Sequence, residues 1–361
     1  MAENKRVVVW GTGNVGNAAL RAVLGHRGLT LAGVVVSNPD KVGKDAADLA
    51  GMAEPSGIRA TDDAKALLAS GDVDAVVYSA LIENRFEQAL GDILMCLRMG
   101  ASVVTSGLYP LQHPRTAPAA LLALVEDACA ASGASLMVSG IDPGWNMDIM
   151  PVLLSAVSSD VTELRAQEVM NYRHYDQPDI VRNVVGLGQP MDVVPPMLTE
   201  ESLGMVWAPM VYAMGDAVNC PVDDVTYHVE RRPLERDIDV PGMGLFEAGT
   251  MGAFRFEVVG HTQGKPMFVV EHVTRIDNDC APDWAYPGHG EGSHNIIVTG
   301  NPVVTMTCHS DDPYKPGPGA GGNATAACRL VNAIPYVCAA PAGVVTAISV
   351  PLSHNGYQMR V

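Results

Sequence analysis

Apolar residues follow two patterns along this chain, and the change between them falls near residue 150. In the first stretch they cluster in short runs: Arg6-Val7-Val8-Val9-Trp10, Leu29 to Val36, Val73 to Tyr78, Ala101 to Thr105 and Ser135 to Ser139. Rich in β-branched residues and without a polar–apolar alternation, these runs predict strands buried on both sides. Between them, apolar positions recur at helical spacing. Phe86, Leu90, Ile93, Leu94 and Leu97 within Glu83 to Arg98 fall on one helical face, and Asn17 to Leu24 and Pro118 to Ala131 also read as helices. Strands alternating with helices predict a parallel, doubly wound α/β sheet.

Beyond residue 150 the pattern becomes alternating. Thr162 to Tyr172, Val225 to Val240, Ala253 to Gly260, Met267 to Ile276, Asn295 to Thr299 and Val303 to His309 read as strands. In Phe254-Arg255-Phe256-Glu257-Val258 aromatic and charged side chains take opposite faces. Turn-like junctions at Gln263-Gly264-Lys265-Pro266 and Gly300-Asn301-Pro302 join neighbouring strands. This predicts a second, α+β domain built on a mostly antiparallel sheet, with one helix over about 200–218 that Pro209 would kink. A glycine- and proline-rich stretch, 313–322, then leads into a helix over 324–340, with Pro335 as a break. The expected division is 1–148 for the first domain, 149–320 for the second, and 321–361 for a helix returning to the first.

The most specific motif is Gly11-Thr12-Gly13-Asn14-Val15-Gly16, between the first predicted strand and the first helix. In that setting Gly11 permits the tight turn, Gly13 lets the backbone approach a pyrophosphate, and Gly16 allows close helix–strand packing. The first domain is therefore read as a Rossmann-type dinucleotide-binding fold, with the helix N-terminus facing the phosphates. At the end of the second strand, where NAD sites usually hold the ribose through a carboxylate, stand Ser37 and Asn38, followed by Lys41 and Lys44. A hydroxyl, an amide and a cation suit a 2′-phosphate, which favours NADP; Asp40 keeps NAD possible.

Composition narrows the partners. Of 361 residues 48% are hydrophobic and 17% charged, enough apolar surface for two cores. A net charge of −17 argues against nucleic acid and anionic membrane surfaces. No apolar run approaches the roughly 18–20 residues of a spanning helix, and Val7 to Trp10 is too short for a signal-peptide core. Seven cysteines without a C-x-x-C pair suggest reduced thiols and a cytoplasmic location.

Four motifs in order, Val9-Trp10-Gly11-Thr12-Gly13-Asn14-Val15-Gly16, Ser37-Asn38-Pro39-Asp40-Lys41-Val42-Gly43, Gly140-Ile141-Asp142-Pro143-Gly144-Trp145 and Val331-Asn332-Ala333-Ile334-Pro335, span nearly the whole chain. In these the chain resembles the dihydrodipicolinate reductase superfamily, and most closely its branch of 2,4-diaminopentanoate dehydrogenases and native amine dehydrogenases. The resemblance implies a homodimer that transfers a hydride between a nicotinamide and a carbon bonded to nitrogen. Two departures stand out. Where dihydrodipicolinate reductases carry His-His-Arg-x-Lys, this chain has Tyr172-Arg173-His174-Tyr175, which disfavours their dicarboxylate substrate. Where the resemblance leads one to expect a glutamate, after the strand ending at Thr105, it has Ser106-Gly107-Leu108-Tyr109-Pro110.

Ligands of doubly wound folds bind beyond the carboxyl ends of the strands. Ser79, Ala80 and Leu81 after the third convincing strand, and Ser106 and Gly107 after the fourth, are candidates to let the nicotinamide lie flat. Asn146, in the expected hinge, is a candidate partner of its carboxamide. Candidates to protonate or polarise the reacting heteroatom are Tyr109, Tyr172, Arg173, His174 and Tyr175; Arg173 would favour an ionised tyrosine. Glu83 is the nearest carboxylate to the missing glutamate, and reads better as a helix start. Met205, Trp207 and Met210, with Met197 and Met214, suggest an apolar pocket wall. His289 to His294 reads as a loop rather than a metal site. These residues leave three readings open: an enzyme of apolar imines and amines, an NADPH-dependent carbonyl reductase, or an NADP-binding protein without catalysis.

Overall fold

The structure, a computed structural model, describes residues 4–82, 85–175, 177–315, 321–350 and 358. The chain divides into two units, residues 1–145 with 323–361, and residues 146–322. The first contains β1 (Lys5–Trp10), α1 (Asn14–Leu24), β2 (Leu29–Val35), α2 (Ala46–Ala50), β3 (Ala60–Thr61), α3 (Ala64–Ala69), β4 (Ala75–Tyr78), α4 (Phe86–Arg98), β5 (Ser102–Thr105), α5 (Ala119–Ser132) and β6 (Ser135–Val138). The second contains α6 (Ile149–Ser155), β7 (Ser159–Asn171), a helical turn α7 (Pro178–Ile180), α8 (Glu200–Val206), α9 (Ala208–Ala217), β8 (Asp224–Pro233), β9 (Ile238–Val240), β10 (Gly244–Phe246), β11 (Met251–Thr262), β12 (Lys265–Arg275), β13 (Gly292–Asn301) and β14 (Val304–Cys308). The helix α10 (Gly321–Val337) and the strand β15 (Gly343–Val345) follow, and from Asn323 onward the chain is again part of the first unit.

The first unit is a seven-stranded sheet in the order β15-β6-β5-β4-β1-β2-β3, with every pair parallel. The central positions of its strands are apolar because both faces are covered. Val7 and Val9 point into one core with Leu20 of α1 and Val331 and Ile334 of α10. Val8 and Trp10 point into another with Ile93 and Leu97 of α4 and Val125 of α5. Pro335 lies inside α10 and does not end it.

Beyond β2 the chain is held by Asp45. Its carboxylate accepts from Ala47 N, Ser56 N, Ser56 Oγ and Gly57 N at 2.7–3.0 Å. These hydrogen bonds, that of the Ser56 hydroxyl foremost, lower its pKa to about 2. A carboxylate whose pKa is lower in the folded state stabilises above its unfolded value, and that stabilisation is lost as pH falls through the folded one. The melting temperature of Asp45→Asn should therefore lie below that of the wild type at neutral pH, and the gap should close between about pH 4 and pH 2.

In the second unit the sheet order is β14-β13-β7-β12-β11-β8. All neighbours are antiparallel except β12 and β7. Phe254, Phe256 and Val258 are buried in its core. Arg255 and Glu257 take the opposite face, where Arg165 bonds Glu163, Glu257 and Glu271 at 2.6–3.0 Å.

The helix expected over 200–218 is two helices, α8 and α9, meeting at Trp207. Pro209 in the first turn of α9 has no N–H and its ring crowds the carbonyl four residues back, so the helix restarts there. The strand expected over 225–240 is likewise divided. Pro233 ends β8, and β9 pairs instead with β10 as a separate ribbon. No helix among the described residues is long and apolar enough to cross a membrane.

Candidate active site

In the first unit the glycine loop leaves β1 at Trp10 and enters α1 at Asn14. Gly11 N donates to Val35 O at 2.9 Å, which ties the loop to β2. Gly11 has φ +99°, and a Cβ there would lie 2.7 Å from Ala80 N. A Cβ on Gly16 would lie 2.0 Å from Gly11 O, closer than any real contact. Around Gly13 there is nothing within 4 Å of such a carbon, so its exposed backbone is open to a ligand. Thr12 is buried, and Asn14 and Val15 are half-buried. Lys41 Nζ reaches back over the loop to Thr12 O at 2.9 Å and Thr12 Oγ1 at 3.0 Å. Ser37 and Asn38 are exposed beside it, and Asn38 Oδ1 accepts from Asp40 N at 2.9 Å. Tight glycines beneath and an open backbone above are what a dinucleotide diphosphate requires, and Lys41, in the turn after β2, adds a cation beside them.

At the end of β4, Ser79 Oγ is bonded to Trp10 O and Gly11 O, both at 3.1 Å, and so braces the loop. Ala80 is half-buried and Leu81 is exposed; Glu83 lies outside the described residues. After β5, Gly107 presses on the segment following β4. A Cβ on it would stand 2.1 Å from Ile82 Cδ1, and its N donates to Thr105 Oγ1 at 3.1 Å. Ser106 and Tyr109 are half-buried, the latter opening a 3-10 turn, Tyr109–Gln112. The Arg329 guanidinium lies 5.3 Å above the Trp145 ring. At the next residue, Asn146 is fully buried and neither atom of its amide has a hydrogen-bond partner among the described residues.

In the second unit Tyr172, Arg173 and His174 form a 3-10 turn directly after β7. The rings of Tyr172 and Tyr175 stack with centroids 4.8 Å apart. Arg173 N donates to Asn171 Oδ1, and its guanidinium lies 4.0 Å from Asp277. His174 and Tyr175 are exposed. Met210 and Met214 of α9 are fully buried and Trp207 nearly so, in the core of this unit; Met205 of α8 is about half exposed.

One cluster in this unit has no counterpart in the sequence expectations. Glu168 on β7 is directly opposite His272 on β12 and His294 on β13. Glu168 Oε1 lies 3.5 Å from His272 Nδ1, and Oε2 lies 3.2 Å from His294 Nε2. Tyr172 donates its hydroxyl to Glu168 Oε1 at 3.4 Å. His272 is stacked on Phe256 and meets the edge of Trp207. The segment read as a loop over 289–294 thus ends inside β13, which begins at Gly292. The available signal was alternation: in Leu164-x-Ala166-x-Glu168 and Phe268-x-Val270-x-His272 a titratable residue occupies a file that is otherwise apolar.

Residues 145–359 match the family model of the 2,4-diaminopentanoate dehydrogenase C-terminal domain. The chain is 44% identical over 346 residues to an amine dehydrogenase of Streptomyces virginiae, covering 96% of each. It is 21% identical to the 2,4-diaminopentanoate dehydrogenase of Acetoanaerobium sticklandii, covering 97% of this chain and 94% of that one. Among solved structures, the amine dehydrogenase of Mycobacterium smegmatis superposes with a TM-score of 0.74 at 20% identity over 99% of both chains.

Proposed function

Because the chain belongs to the family of 2,4-diaminopentanoate dehydrogenases and amine dehydrogenases, we propose that it oxidises an apolar primary amine to the imine with NADP as the preferred partner, and runs the reverse as reductive amination. It is an oxidoreductase of amines that uses a nicotinamide cofactor. A bound nicotinamide would supply the hydride chemistry. The chain's own residues hold that cofactor and handle the proton. Gly11, Thr12, Gly13 and Asn14 would present backbone N–H groups to the diphosphate. Lys41, anchored on Thr12, would meet the ribose 2′-phosphate. Asn146 retains a buried donor and acceptor, the pair a carboxamide needs. The reading includes a homodimer in the cytoplasm, with Tyr109, Tyr172, Arg173, His174 and Tyr175 as candidates around the reacting nitrogen.

The observation that carries this reading is the phosphate cradle, open at Gly13 and crowned by Lys41. A panel of aliphatic amines, offered with NADP+ and with NAD+ and followed by the absorbance of the reduced nicotinamide, tests it. Turnover is expected with apolar amines and faster with NADP+; no turnover of any amine with either would refute it. Lys41→Ala should cost at least about tenfold in kcat/KM for NADP+, since a charge-assisted bond to phosphate contributes about 1.5–3 kcal/mol. The value for NAD+ should change little. Equal losses for the two dinucleotides would show that Lys41 only supports the loop.

A further inference from the structure

We propose that Glu168 holds the proton shed by the substrate ammonium, acting through the hydroxyl of Tyr172. This rests on the amine oxidoreductase reading above. Oxidation cannot start from the ammonium form, which prevails at neutral pH because its pKa is about 10, like that of lysine. One N–H bond must break first, leaving the lone pair on nitrogen. The C–H bond can then break with its electron pair leaving as hydride, for which a bound nicotinamide would be the acceptor, and the nitrogen lone pair becomes the second bond of C=N. In the relay proposed here, Tyr172 Oη takes the ammonium proton as its own proton passes to Glu168 Oε1. One N–H bond is exchanged for one carboxyl O–H bond, and the tyrosine ends unchanged.

Three observations support the assignment. The first is the cost of the cluster. Glu168, His272 and His294 are each less than a tenth exposed, and the sheet file they occupy is otherwise apolar, with Leu164, Ala166, Val270 and Phe256 around them. A well-packed apolar row would stabilise this core at least as well as a buried ionic one, so packing alone does not account for three titratable side chains side by side. The second is connectivity. The carboxylate is buried, Tyr172 is half-buried, and Tyr175, stacked on it, is exposed, so Tyr172 connects the enclosed carboxylate to the partly exposed turn that follows β7. The third is the gap elsewhere. Ser106-Gly107-Leu108-Tyr109-Pro110 after β5 offers no carboxylate, and proton transfer still needs a base.

The orientation of Glu168 is fixed from both sides. Within this unit its titratable neighbours are Tyr172 on the turn after β7, His272 on β12 and His294 on β13. Oε2 is turned to His294, leaving Oε1 to His272 and Tyr172. His272 is itself clamped between Phe256 and Trp207. Glu168 is thus a positioning residue, with Tyr172 as the group closer to substrate.

The test compares Glu168→Gln, Glu168→Asp and Tyr172→Phe with the wild type in amine oxidation across pH. NADPH fluorescence and thermal melting check cofactor binding and folding. Glu168→Gln should lower kcat by at least about a hundredfold, the scale of a lost general base, leave the NADPH Kd unchanged, and remove the acid limb of the kcat profile. Glu168→Asp should recover part of the rate and restore that limb. Tyr172→Phe should lower kcat and flatten the same limb. A folded Glu168→Gln enzyme that keeps the wild-type acid limb overturns the proposal, whatever its rate. If that variant does not fold, Tyr172→Phe decides by the same criterion. If the wild type oxidises no amine while still binding NADPH, the amine reading itself fails, and this assignment with it.

Discussion

Alanine at Gly16 should abolish dinucleotide binding, a loss of at least about a hundredfold in Kd. The added carbon would stand 2.0 Å from Gly11 O and 2.7 Å from Ser79 Oγ. Neither neighbour can retreat freely: Gly11 N is bonded to Val35 O, and Ser79 Oγ is bonded to Trp10 O and Gly11 O. The loop must deform, at a cost of about 1–3 kcal/mol in overpacking alone, and its N–H groups then no longer converge on a diphosphate. Calorimetric titration with NADPH measures the loss, and the melting temperature should fall as well. Gly13→Ala is the contrasting case. It has open space and φ −81°, so the fold should tolerate the methyl while the ligand meets it. Binding should weaken with little change in melting temperature. A Gly16→Ala protein that binds NADPH like the wild type would mean that the tight approach of α1 to the loop is unrelated to the ligand.

The largest effect on stability is expected at Arg275. This side chain is 1% exposed at the end of β12. Its Nε, NH1 and NH2 donate to Cys280 O at 3.0 Å, Ala285 O at 2.8 Å and Ala281 O at 3.0 Å, and its guanidinium lies 4.8 Å from the Tyr286 ring centroid. Burial lowers its pKa, and the carbonyls and the ring stabilise the cation in place of water. One planar fork thereby holds the connection from β12 towards β13. Arg275→Leu leaves three carbonyls to be satisfied anew, each at about 1–3 kcal/mol when buried. Partial relaxation would leave a net loss of roughly 3–5 kcal/mol, or a fall in melting temperature on the order of 10 °C. Arg275→Lys should recover little, because a single ammonium cannot reproduce the fork. Chemical denaturation of the three proteins checks this; a lysine variant as stable as the wild type would contradict it.

The first unit was legible in the sequence because its physics is local. A strand covered on both faces reads as an unbroken apolar run, as Val7 to Trp10 does. A diphosphate loop requires glycines at fixed offsets, as at 11, 13 and 16. The family followed from the same loop together with the motifs near residues 37, 140 and 331. Divisions within elements were harder to see. Pro209 lies within the helix expected over 200–218, but a proline inside an apolar helical pattern is compatible with either a kink or a stop and restart, and the chain takes the second, at Trp207. The two-residue β3 and the pairing of β15 with β6 carry too few residues to show a period.

The Glu168 cluster was hidden for a different reason. Glu168 lies about a hundred residues before His272 and His294 in the chain, and only strand order and register bring the three into one row. His294, adjacent to a glycine-rich stretch, reads as loop until β13 is paired with β7. What the family resemblance did supply was the expectation of a carboxylate after β5, and the sequence shows none there, which is what gives Glu168 its significance.

An amine oxidoreductase must have nitrogen as the atom bonded to the carbon that exchanges hydride. The direct measurement is NADPH oxidation by the purified protein with a panel of aliphatic ketones and aldehydes, each with and without ammonium, with the product identified by mass. NADPH should be consumed only when ammonium is present, with a primary amine as the product. NADPH consumption at the same rate without ammonium, with an alcohol as the product, would contradict the amine reading.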